Sequence, residues 1–352
     1  MALAGYLPQK FLLIHVVFEC FPAVDHNDRH LVVVTMAEFV TGVHVNLTPS
    51  EAAAFVELDE ALLDDFAEMT APAGVNDYLA PRLHREVQCS SREGSFQARR
   101  CKIHGMAKGI GPLIGKVVLV TGAAKRLGRA IALAAADNGA DVAITFHESE
   151  REASEVVGEL AKRGAEGLAV RCDITDEKNV SEMVKEVAGE LGGIDVLVNN
   201  AANYETAEFE KLTVEQWDAI FASNTRGPFV VSREALPYLR QRKGKIIHMG
   251  SLGGLRPWAT HAHYCSSKAA LHMLTKVMAK ALAPEIAVNA VAPGMIDLGE
   301  KSAAAFMRRM AKETPMRRNG TAAEIAAAVM FFATAPHFIT GQIMAVDGGL
   351  GL

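Results

Sequence analysis

Hydrophobic and polar positions alternate in a regular way from about Lys116 to the end of the chain. Short runs rich in β-branched residues end in turn residues, and segments of helical periodicity, such as residues 149–164 and 177–193, follow most of them. The predicted strands are KVVLV, DVAITF, GLAVRC, IDVLVN, GKIIHM, IAVNAV and QIMAV. This alternation predicts an α/β protein with a doubly wound, seven-stranded parallel sheet and helices on both faces.

The first 105 residues are organised differently. Residues 29–47 have the composition of strands, residues 50–69 have helical periodicity, and the chain then loses periodicity up to about residue 105. We therefore divide the chain into an N-terminal extension, residues 1–105, and an α/β domain, residues 106–352. Two interpretations of the extension stay open. It is a real but poorly ordered segment, or it is an artefact upstream of a true start at Met106.

Composition and charge narrow the functional classes. The chain has 352 residues, a formal net charge of -5 and no long basic run, so nucleic acid is not an expected partner. No run of about 18 apolar residues predicts a membrane span, and residues 11–21 lack a clear signal-peptide cleavage site. The five cysteines are scattered without a C-x-x-C pair, which favours a reducing, cytoplasmic setting. His44 and His104 have no partners at metal-ligand spacing, so we expect no metal.

One glycine turn is a candidate phosphate-binding site. The segment VTGAAKRLGRAIA, residues 120–132, joins the first predicted strand of the sheet to a predicted helix. Gly122 and Gly128 would let backbone N–H groups and the helix N-terminus approach a pyrophosphate. Arg126 stands where a third glycine would be expected. A strand-to-helix corner also needs glycine for structural reasons, so the turn alone does not establish nucleotide binding.

Further motifs follow in a fixed order. They include CDITD, VLVNNAANY, SNTRGPF, MGSLGG, YCSSK and NAVAPGMI. Over residues 116–349 their order and spacing resemble the short-chain dehydrogenase/reductase family. The resemblance implies a Rossmann-like fold in a catalytic domain over residues 106–352, a nicotinamide cofactor, and reversible hydride transfer between a carbonyl and an alcohol. The cofactor-binding residues it implies are Gly122, Arg126, Leu127, Gly128, His147, Ser149, Asp173, Ile174, Asn200, Ala201, Tyr264, Lys268, Pro293 and Gly294.

Four residues match the catalytic tetrad of that family: Asn224, Ser251, Tyr264 and Lys268. Tyr264 and Lys268 share a helix face, and the ammonium is expected to favour the phenolate by lowering its pKa. Tyr264 would exchange a proton with the substrate oxygen, while Ser251 would hold that oxygen. In the family, the residue matching Asn224 holds a water that relays protons to the lysine. Simpler explanations stay open. The spacing of Tyr264 and Lys268 could arise by chance, Ser251 could be a turn-forming serine, and Asn224 could cap the next helix.

The choice of cofactor depends on the end of the second strand of the sheet. A site for NAD(H) usually has an acidic residue there, whereas this chain has Thr145 and Phe146. The guanidinium of Arg126 suits a 2′-phosphate, and His147 and Ser149 could add donors. We therefore expect NADP(H) rather than NAD(H). Glu148 departs from this pattern, because it would repel a phosphate if it pointed inward.

Two substrate classes and one non-enzymatic function stay open. TGAAKRLGR resembles the pteridine reductases, in which an aromatic residue after NNA stacks on the pterin, and Tyr204 holds that position here. Those enzymes commonly have aspartate where this chain has Ser251, and serine suits a ketone better. The C-terminal segment resembles 3-oxoacyl-carrier-protein reductases, so ketone reduction ranks first, with Ser251, Tyr204 and Tyr264 as substrate residues. A non-catalytic regulator that senses NADP(H) is the alternative of another class.

The resemblance also implies an assembly. Family members are usually tetramers, joined through the helix of the Tyr–Lys pair and the last strand, so we expect a homotetramer or homodimer that binds a small-molecule substrate. An apolar stripe on that helix is a candidate contact, although simple packing on the sheet explains it equally well: Leu271, Met273, Leu274 and Met278. Residues 299–314 are predicted to form a lid lined by Phe306, Met307 and Met310.

Overall fold

The structure, a computed structural model, describes His15–Cys20, Val32–Ala37 and residues 111–352. The chain divides into two units, residues 1–99 and 100–352. In the first unit, β1 (His15–Cys20) pairs antiparallel with β2 (Val32–Ala37). The strand prediction for residues 29–47 is thus confirmed for β2. The predicted helix at residues 50–69, the order of the remaining extension, His44 and His104 lie outside the described residues.

The second unit contains a sheet of parallel strands. These are β3 (Val117–Val120), β4 (Asp141–Phe146), β5 (Gly167–Arg171), β6 (Val196–Asn199), β7 (Lys245–Met249), β8 (Ala287–Pro293) and β9 (Ile343–Val346). Their order across the seven-stranded sheet is β5-β4-β3-β6-β7-β8-β9, and every neighbouring pair is parallel. The predicted fold class, a Rossmann-like doubly wound sheet, is confirmed.

Helices cover both faces of this sheet. They are α1 (Arg126–Asp137), α2 (Glu150–Lys162), α3 (Glu177–Glu190), α4 (Val214–Phe221), α5 (Gly227–Arg242), α6 (Ala262–Ala281), α7 (Ala304–Glu313) and α8 (Ala322–Thr334). One core cluster joins α1, α2 and α8 to the sheet, and a second joins α3, α5 and α6. Val118 and Val120 enter the first cluster and Leu119 the second, because successive strand residues point to opposite faces.

The strand order places a crevice at the carboxyl ends of β3 and β6. Chain connections run outward in opposite directions from these two neighbours, and open α/β sheets bind ligands at such a switch point. The glycine turn follows β3, and Asn200 follows β6. The fold therefore brings the predicted nucleotide motifs to one edge of the sheet. Among the described helices, none is long and apolar enough to cross a membrane.

Candidate functional site

A cavity of about 940 Å³ lies at the carboxyl edge of the sheet. Most of the predicted site residues line it: Gly122, Arg126, Leu127, Gly128, His147, Asp173, Ile174, Asn200, Ala201, Tyr204, Ser251, Tyr264, Lys268, Pro293 and Gly294. Ser149 and Asn224 are not among its lining residues. Within residues 111–352, no group of acidic, histidine and cysteine side chains has the arrangement of a metal site.

The glycine turn after β3 is held by Asn200. Its Nδ2 donates hydrogen bonds to the backbone oxygens of Thr121 (2.9 Å) and Gly122 (3.0 Å). Gly122 has a φ of +62°, and a Cβ there would lie 2.9 Å from the Cα of Ala201. Only glycine avoids both the strained backbone and this clash. A Cβ at Gly128 would lie 2.6 Å from Asn200 Nδ2, so this glycine lets α1 approach the end of β6.

Arg126 adopts a backbone conformation that favours glycine. Its φ is +53°, in the left-handed region. Its side chain leaves the turn and forms an ion pair with Glu300, with 2.6 Å between Nη2 and Oε1. The preceding Lys125 points elsewhere and pairs with Glu152 on α2 at 2.9 Å. Two cations therefore flank the turn, one toward the lid side of the cavity and one toward α2. Sequence reasoning missed Lys125.

The end of β4 carries His147 into the cavity lining. Its Nε2 lies 4.0 Å from Oδ2 of Asp173, and both side chains are about half exposed. Glu148 is exposed and is not among the lining residues, so the anticipated repulsion of a phosphate does not arise from the observed geometry. Ser149, predicted as an added donor, is instead the N-cap residue of α2 and makes no side-chain capping bond.

Asp173 is fixed by its own turn after β5. Its Oδ1 accepts hydrogen bonds from the backbone N and the hydroxyl of Thr175, at 2.9 and 2.7 Å. These two bonds hold the pKa of the carboxyl below its usual value, and the bond from the backbone N–H has the larger effect. At the opposite side of the crevice, Gly294 N donates to Val346 O at 3.0 Å, which ties the end of β8 to β9. The cavity lining thus has fixed polar groups at both ends.

Ser251, Tyr264 and Lys268 come together in the lining of the cavity. Tyr264 lies in the first turn of α6, and Ser251, which follows β7, lies near enough for its side chain to favour a lower pKa of the tyrosine. The Lys268 Nζ is 5.9 Å from the centre of the Tyr264 ring. The sequence predicts a lowered pKa for Tyr264, but burial outweighs the lowering effect of Ser251 and raises this pKa. Lys268 is only 3% exposed, so its charge is itself costly there.

Lys268 is anchored beneath the tyrosine. Its Nζ donates a 2.8 Å hydrogen bond to the backbone oxygen of Met249 at the end of β7. Burial lowers the pKa of this lysine from its ordinary value to about 8. The pKa of the Lys268 amine is therefore closer to neutral pH than that of an ordinary lysine.

Asn224 lies behind the site, in a π-helical turn, Ala222–Arg226, between α4 and α5. Its Oδ1 accepts from Asn203 N at 2.8 Å, and its Nδ2 donates to Asn203 O at 2.9 Å and to Ser267 Oγ at 3.2 Å. Ser267 Oγ in turn donates to the backbone oxygen of Tyr264 at 2.7 Å. The asparagine thus joins the segment after β6 to α6, and π-turns are frequent at functional sites.

Aromatic side chains form the outer wall. The Tyr204 hydroxyl is 2.7 Å from His261 Nε2, and its ring meets that of Tyr264 edge-on, with 5.0 Å between centres. Trp258 packs edge-on against His261. Sequence reasoning missed Trp258 and His261, although His261 precedes Tyr264 by only three residues. Phe306 and Met307 line the cavity as predicted from the lid segment.

Met310, predicted as a third lid residue of the lining, does not line the cavity. It is buried in a small cluster with Leu252 and Leu350. The residues of the apolar stripe on α6 also differ in burial. Leu271 and Met278 are buried, whereas Met273 is 59% exposed. Most of that stripe therefore packs on the sheet.

Together, the sheet, the glycine turn and the Tyr–Lys pair define a Rossmann-fold oxidoreductase. Comparison with known proteins agrees, since a family model described as "Enoyl-(Acyl carrier protein) reductase" matches residues 122–351. The chain belongs to the short-chain dehydrogenase/reductase family, for which a nicotinamide is the cofactor.

Individual relatives cover the same part of the chain. A 3-oxoacyl-[acyl-carrier-protein] reductase of Staphylococcus epidermidis is 36% identical over 242 residues, which are 67% of this chain and 99% of that protein. One of Staphylococcus aureus is 37% identical over 240 residues, 67% of this chain and 98% of that protein. The solved short-chain dehydrogenase/reductase of Serratia marcescens BCRC 10948 superposes with a TM-score of 0.66 at 35% identity, over 68% of this chain and all of that one.

Proposed function

We propose that the chain is an NADP(H)-dependent oxidoreductase that interconverts a ketone and an alcohol, with a 3-oxoacyl thioester as the substrate class. The observation that carries this proposal is the presence of Ser251, Tyr264 and the buried Lys268 together in the lining of one large cavity. The similarity to 3-oxoacyl-[acyl-carrier-protein] reductases supports the substrate class. Residue roles below belong to the same proposal.

In the reductive direction, Ser251 would donate a hydrogen bond to the substrate oxygen and orient it. Tyr264, kept protonated by its raised pKa, would donate its proton to that oxygen as negative charge develops. Lys268 would stabilise the resulting phenolate through its positive charge. Asn224 would hold Asn203 and α6 in place. The nicotinamide, when bound, supplies or accepts the hydride.

The residues present fit a phosphorylated dinucleotide. The start of α1 offers backbone N–H groups, and the neighbouring turn has at Gly122 a position where no side chain could be added. Arg126 and His147 line the same end and carry donors suited to a 2′-phosphate. The strand end has no inward carboxylate, since Glu148 does not line the cavity. We propose NADP(H) as the cofactor on these grounds, with Ser149 left out of the binding set.

Reduction of a dihydropterin is the second candidate. One observation favours it: the Tyr204 side chain is well exposed beside Tyr264, where a flat ring could stack on it. Ser251 favours the ketone, because a hydroxyl is a poor donor of a full proton to a ring nitrogen. The non-catalytic sensor is the weakest alternative, since a sensor has no use for the proton donor Tyr264.

A paired rate assay tests the proposal. The full chain is given NADPH and either an acetoacetyl thioester or a dihydropterin, and NADPH oxidation is followed, with NADH in parallel. Turnover of the thioester with a preference for NADPH is the expected result. Turnover of the pterin alone would reverse the ranking, and tight NADPH binding without any turnover would favour the sensor.

We also propose that residues 106–352 form the catalytic domain, that the enzyme is a homotetramer or homodimer, and that it works in a reducing, cytoplasmic setting. Exposed Met273 and Val277 on α6, and Phe229 on α5, are apolar side chains that an interface would bury. Light scattering on the full chain, and the same measurement with kinetics on a chain beginning at Met106, test the first two points. A monomer, or loss of activity on truncation, would contradict them.

A further inference from the structure

The helix face that carries Tyr264 and Lys268 continues one turn further, to His272. Residues four apart lie on the same side of a helix, so these three side chains follow one line along α6. His272 is buried, and none of the chemistry proposed above uses it. Its imidazole lies against the loop that follows β7 and carries Ser251.

Three contacts join the imidazole to that loop. The backbone N–H of Ser251 donates to His272 Nε2, with 3.4 Å between the two nitrogens. A Cβ on Gly250 would lie 2.1 Å from the same Nε2, and one on Gly254 would lie 2.7 Å from the ring carbon Cε1. The hydrogen bond is long, but the ring fills space that only glycine leaves free at both flanking positions. The loop and the histidine are therefore sterically matched.

The backbone of Ser251 determines where its hydroxyl lies. Ser251 Oγ accepts a 3.0 Å hydrogen bond from Gly253 N, and both Ser251 Oγ and the Tyr264 ring lie beside Gly253. Displacement of the Ser251 backbone would move the hydroxyl relative to the tyrosine. Misplacement of a catalytic group by a fraction of an ångström weakens its contribution to the rate.

The surroundings keep the imidazole neutral. Burial, with help from the charges of Lys268 and Lys276 on the same helix, lowers the pKa of His272 to about 4. The other ring nitrogen of His272, Nδ1, has no hydrogen-bond partner among the described residues. From β7, His248 faces the same region. A neutral imidazole can accept at Nε2, whereas a protonated one has no acceptor left and would repel Lys268.

We propose that His272 is a positioning residue for Ser251, which accepts the Ser251 N–H at Nε2 and packs between Gly250 and Gly254, so that the serine hydroxyl stays aligned with Tyr264. This inference rests on the proposed function in assigning Ser251 to the substrate oxygen. The contact itself stands on the geometry alone.

The test compares two substitutions of equal length, His272→Gln, which keeps an acceptor near the Nε2 position, and His272→Met, which removes it. His263→Met is the control, because His263 is a buried histidine of the same helix whose ring nitrogens have no hydrogen-bond partner among the described residues. Amide hydrogen exchange of residues 250–254, kcat and KM for the thioester, the Kd for NADPH and the Tm are measured on each full-length variant.

In His272→Met, we expect faster exchange of the Ser251 amide and a kcat lowered about tenfold, the rate equivalent of one lost hydrogen bond, with an unchanged Kd for NADPH. His272→Gln should restore most of the kcat and the protection, and His263→Met should change neither. Unchanged exchange at Ser251 in His272→Met, or equal losses of kcat in the Gln and Met variants, would overturn the proposal. If the unmodified protein reduces no carbonyl, the proposed function fails, while the exchange data still decide the contact.

Discussion

Arg126 has a cost to stability that its visible contacts do not offset. A non-glycine residue in the left-handed region costs roughly 1–2 kcal/mol. The ion pair with Glu300 joins side chains that are 66% and 44% exposed, and exposed pairs contribute about 0–1 kcal/mol. The arginine is therefore better explained by binding than by folding, and glycine would be the more stable choice at this position.

The substitution Arg126→Gly separates the two effects. It should raise the free energy of unfolding by about 1 kcal/mol, since strain is relieved, and raise the Kd for NADPH at least about tenfold with little change for NADH. Urea unfolding and fluorescence titration measure these quantities. Arg129→Gln is the charge control, because Arg129 lies on the same helix and pairs with Glu159. An unchanged Kd for NADPH would remove Arg126 from the cofactor site.

Tyr264 provides the most direct test of the chemistry. Tyr264→Phe keeps the ring and its edge-on contact with Tyr204 but removes the proton. The kcat for carbonyl reduction should fall by about 10²–10⁴, the usual contribution of a positioned general acid, with the Kd for NADPH unchanged. Stopped-flow assays and equilibrium titration give the two numbers. A kcat within a factor of a few of the unmodified enzyme would exclude Tyr264 as the acid.

Residue spacing predicted the central site but not its surroundings. Tyr264 and Lys268 could be placed on one face because helical geometry is local. The raised pKa of Tyr264, in contrast, depends on burial beneath Tyr204 and the loop of Ser251, which no local pattern encodes. The place of Ser149 at the start of α2, outside the cavity lining, is likewise not encoded by any local pattern.

At the scale of elements, the turn between β3 and α1 is the most constrained part of the site. Its shape depends on a glycine with positive φ, on the close approach of the segment after β6, and on two hydrogen bonds from Asn200. The turn, the strand end and the helix start therefore form one unit, and a change to any of them alters the path of the backbone that would face a phosphate.

A pair of alanine substitutions tests this unit. Gly122→Ala should lower the free energy of unfolding by about 1 kcal/mol or more, because alanine is strained at the positive φ of this position. The same substitution should weaken NADPH binding. Gly158→Ala, inside α2, should instead stabilise the protein by about 0.5–1 kcal/mol, because a Cβ there meets nothing within 4 Å. Thermal unfolding with and without NADPH measures both. Equal effects of the two substitutions would show that the turn is not constrained.

The strands were predictable because each is a short apolar run, and the central strands pack on both faces of the sheet, as the alternation of Val118, Leu119 and Val120 shows. The π-turn Ala222–Arg226 was not predictable, since its residues have no pattern distinct from an ordinary helix. Asn224 was therefore identified by motif alone, and its bonds to Asn203 and Ser267 emerged only from the structure.

At the scale of the whole molecule, buried imidazoles link stability to pH. Burial lowers the pKa of His248 to about 3 and that of His272 to about 4. An imidazole in the unfolded chain has a pKa near ~6.5. Between that value and the folded value, the unfolded state binds more protons, so the free energy of unfolding falls as the pH falls.

We therefore expect stability to decline from about pH 6.5 toward pH 4, with a slope approaching about 1.4 kcal/mol per pH unit for each histidine. Urea unfolding at pH 7, 6 and 5 gives the slope. The variant His248→Asn, which removes one of these groups, should reduce the slope by up to about 1.4 kcal/mol per pH unit. Stability that stays constant between pH 7 and pH 5 would show that both imidazoles are protonated in the folded state.

The global architecture follows from the order of predicted elements, whereas the outer wall of the cavity does not. Alternating strands and helices leave few topologies, because crossovers in parallel sheets are right-handed. The lid residues Phe306, Met307 and Met310 look equivalent in sequence, yet only the first two line the cavity. Which side of a short helix faces the substrate is decided by packing against distant residues such as Leu350.

The position of the tryptophans gives the molecule an internal optical reporter. The chain has two, and only Trp258 lines the cavity, while Trp217 stacks on Phe221 at 5.0 Å between ring centres. Light absorbed by Trp258 can pass to a reduced nicotinamide bound nearby, and its emission will also respond to a substrate that displaces water from the aromatic wall. In a Trp217→Phe variant, Trp258 would be the remaining tryptophan. Its emission would then report the binding of the cofactor and the binding of the substrate as separate events in time, without any attached dye.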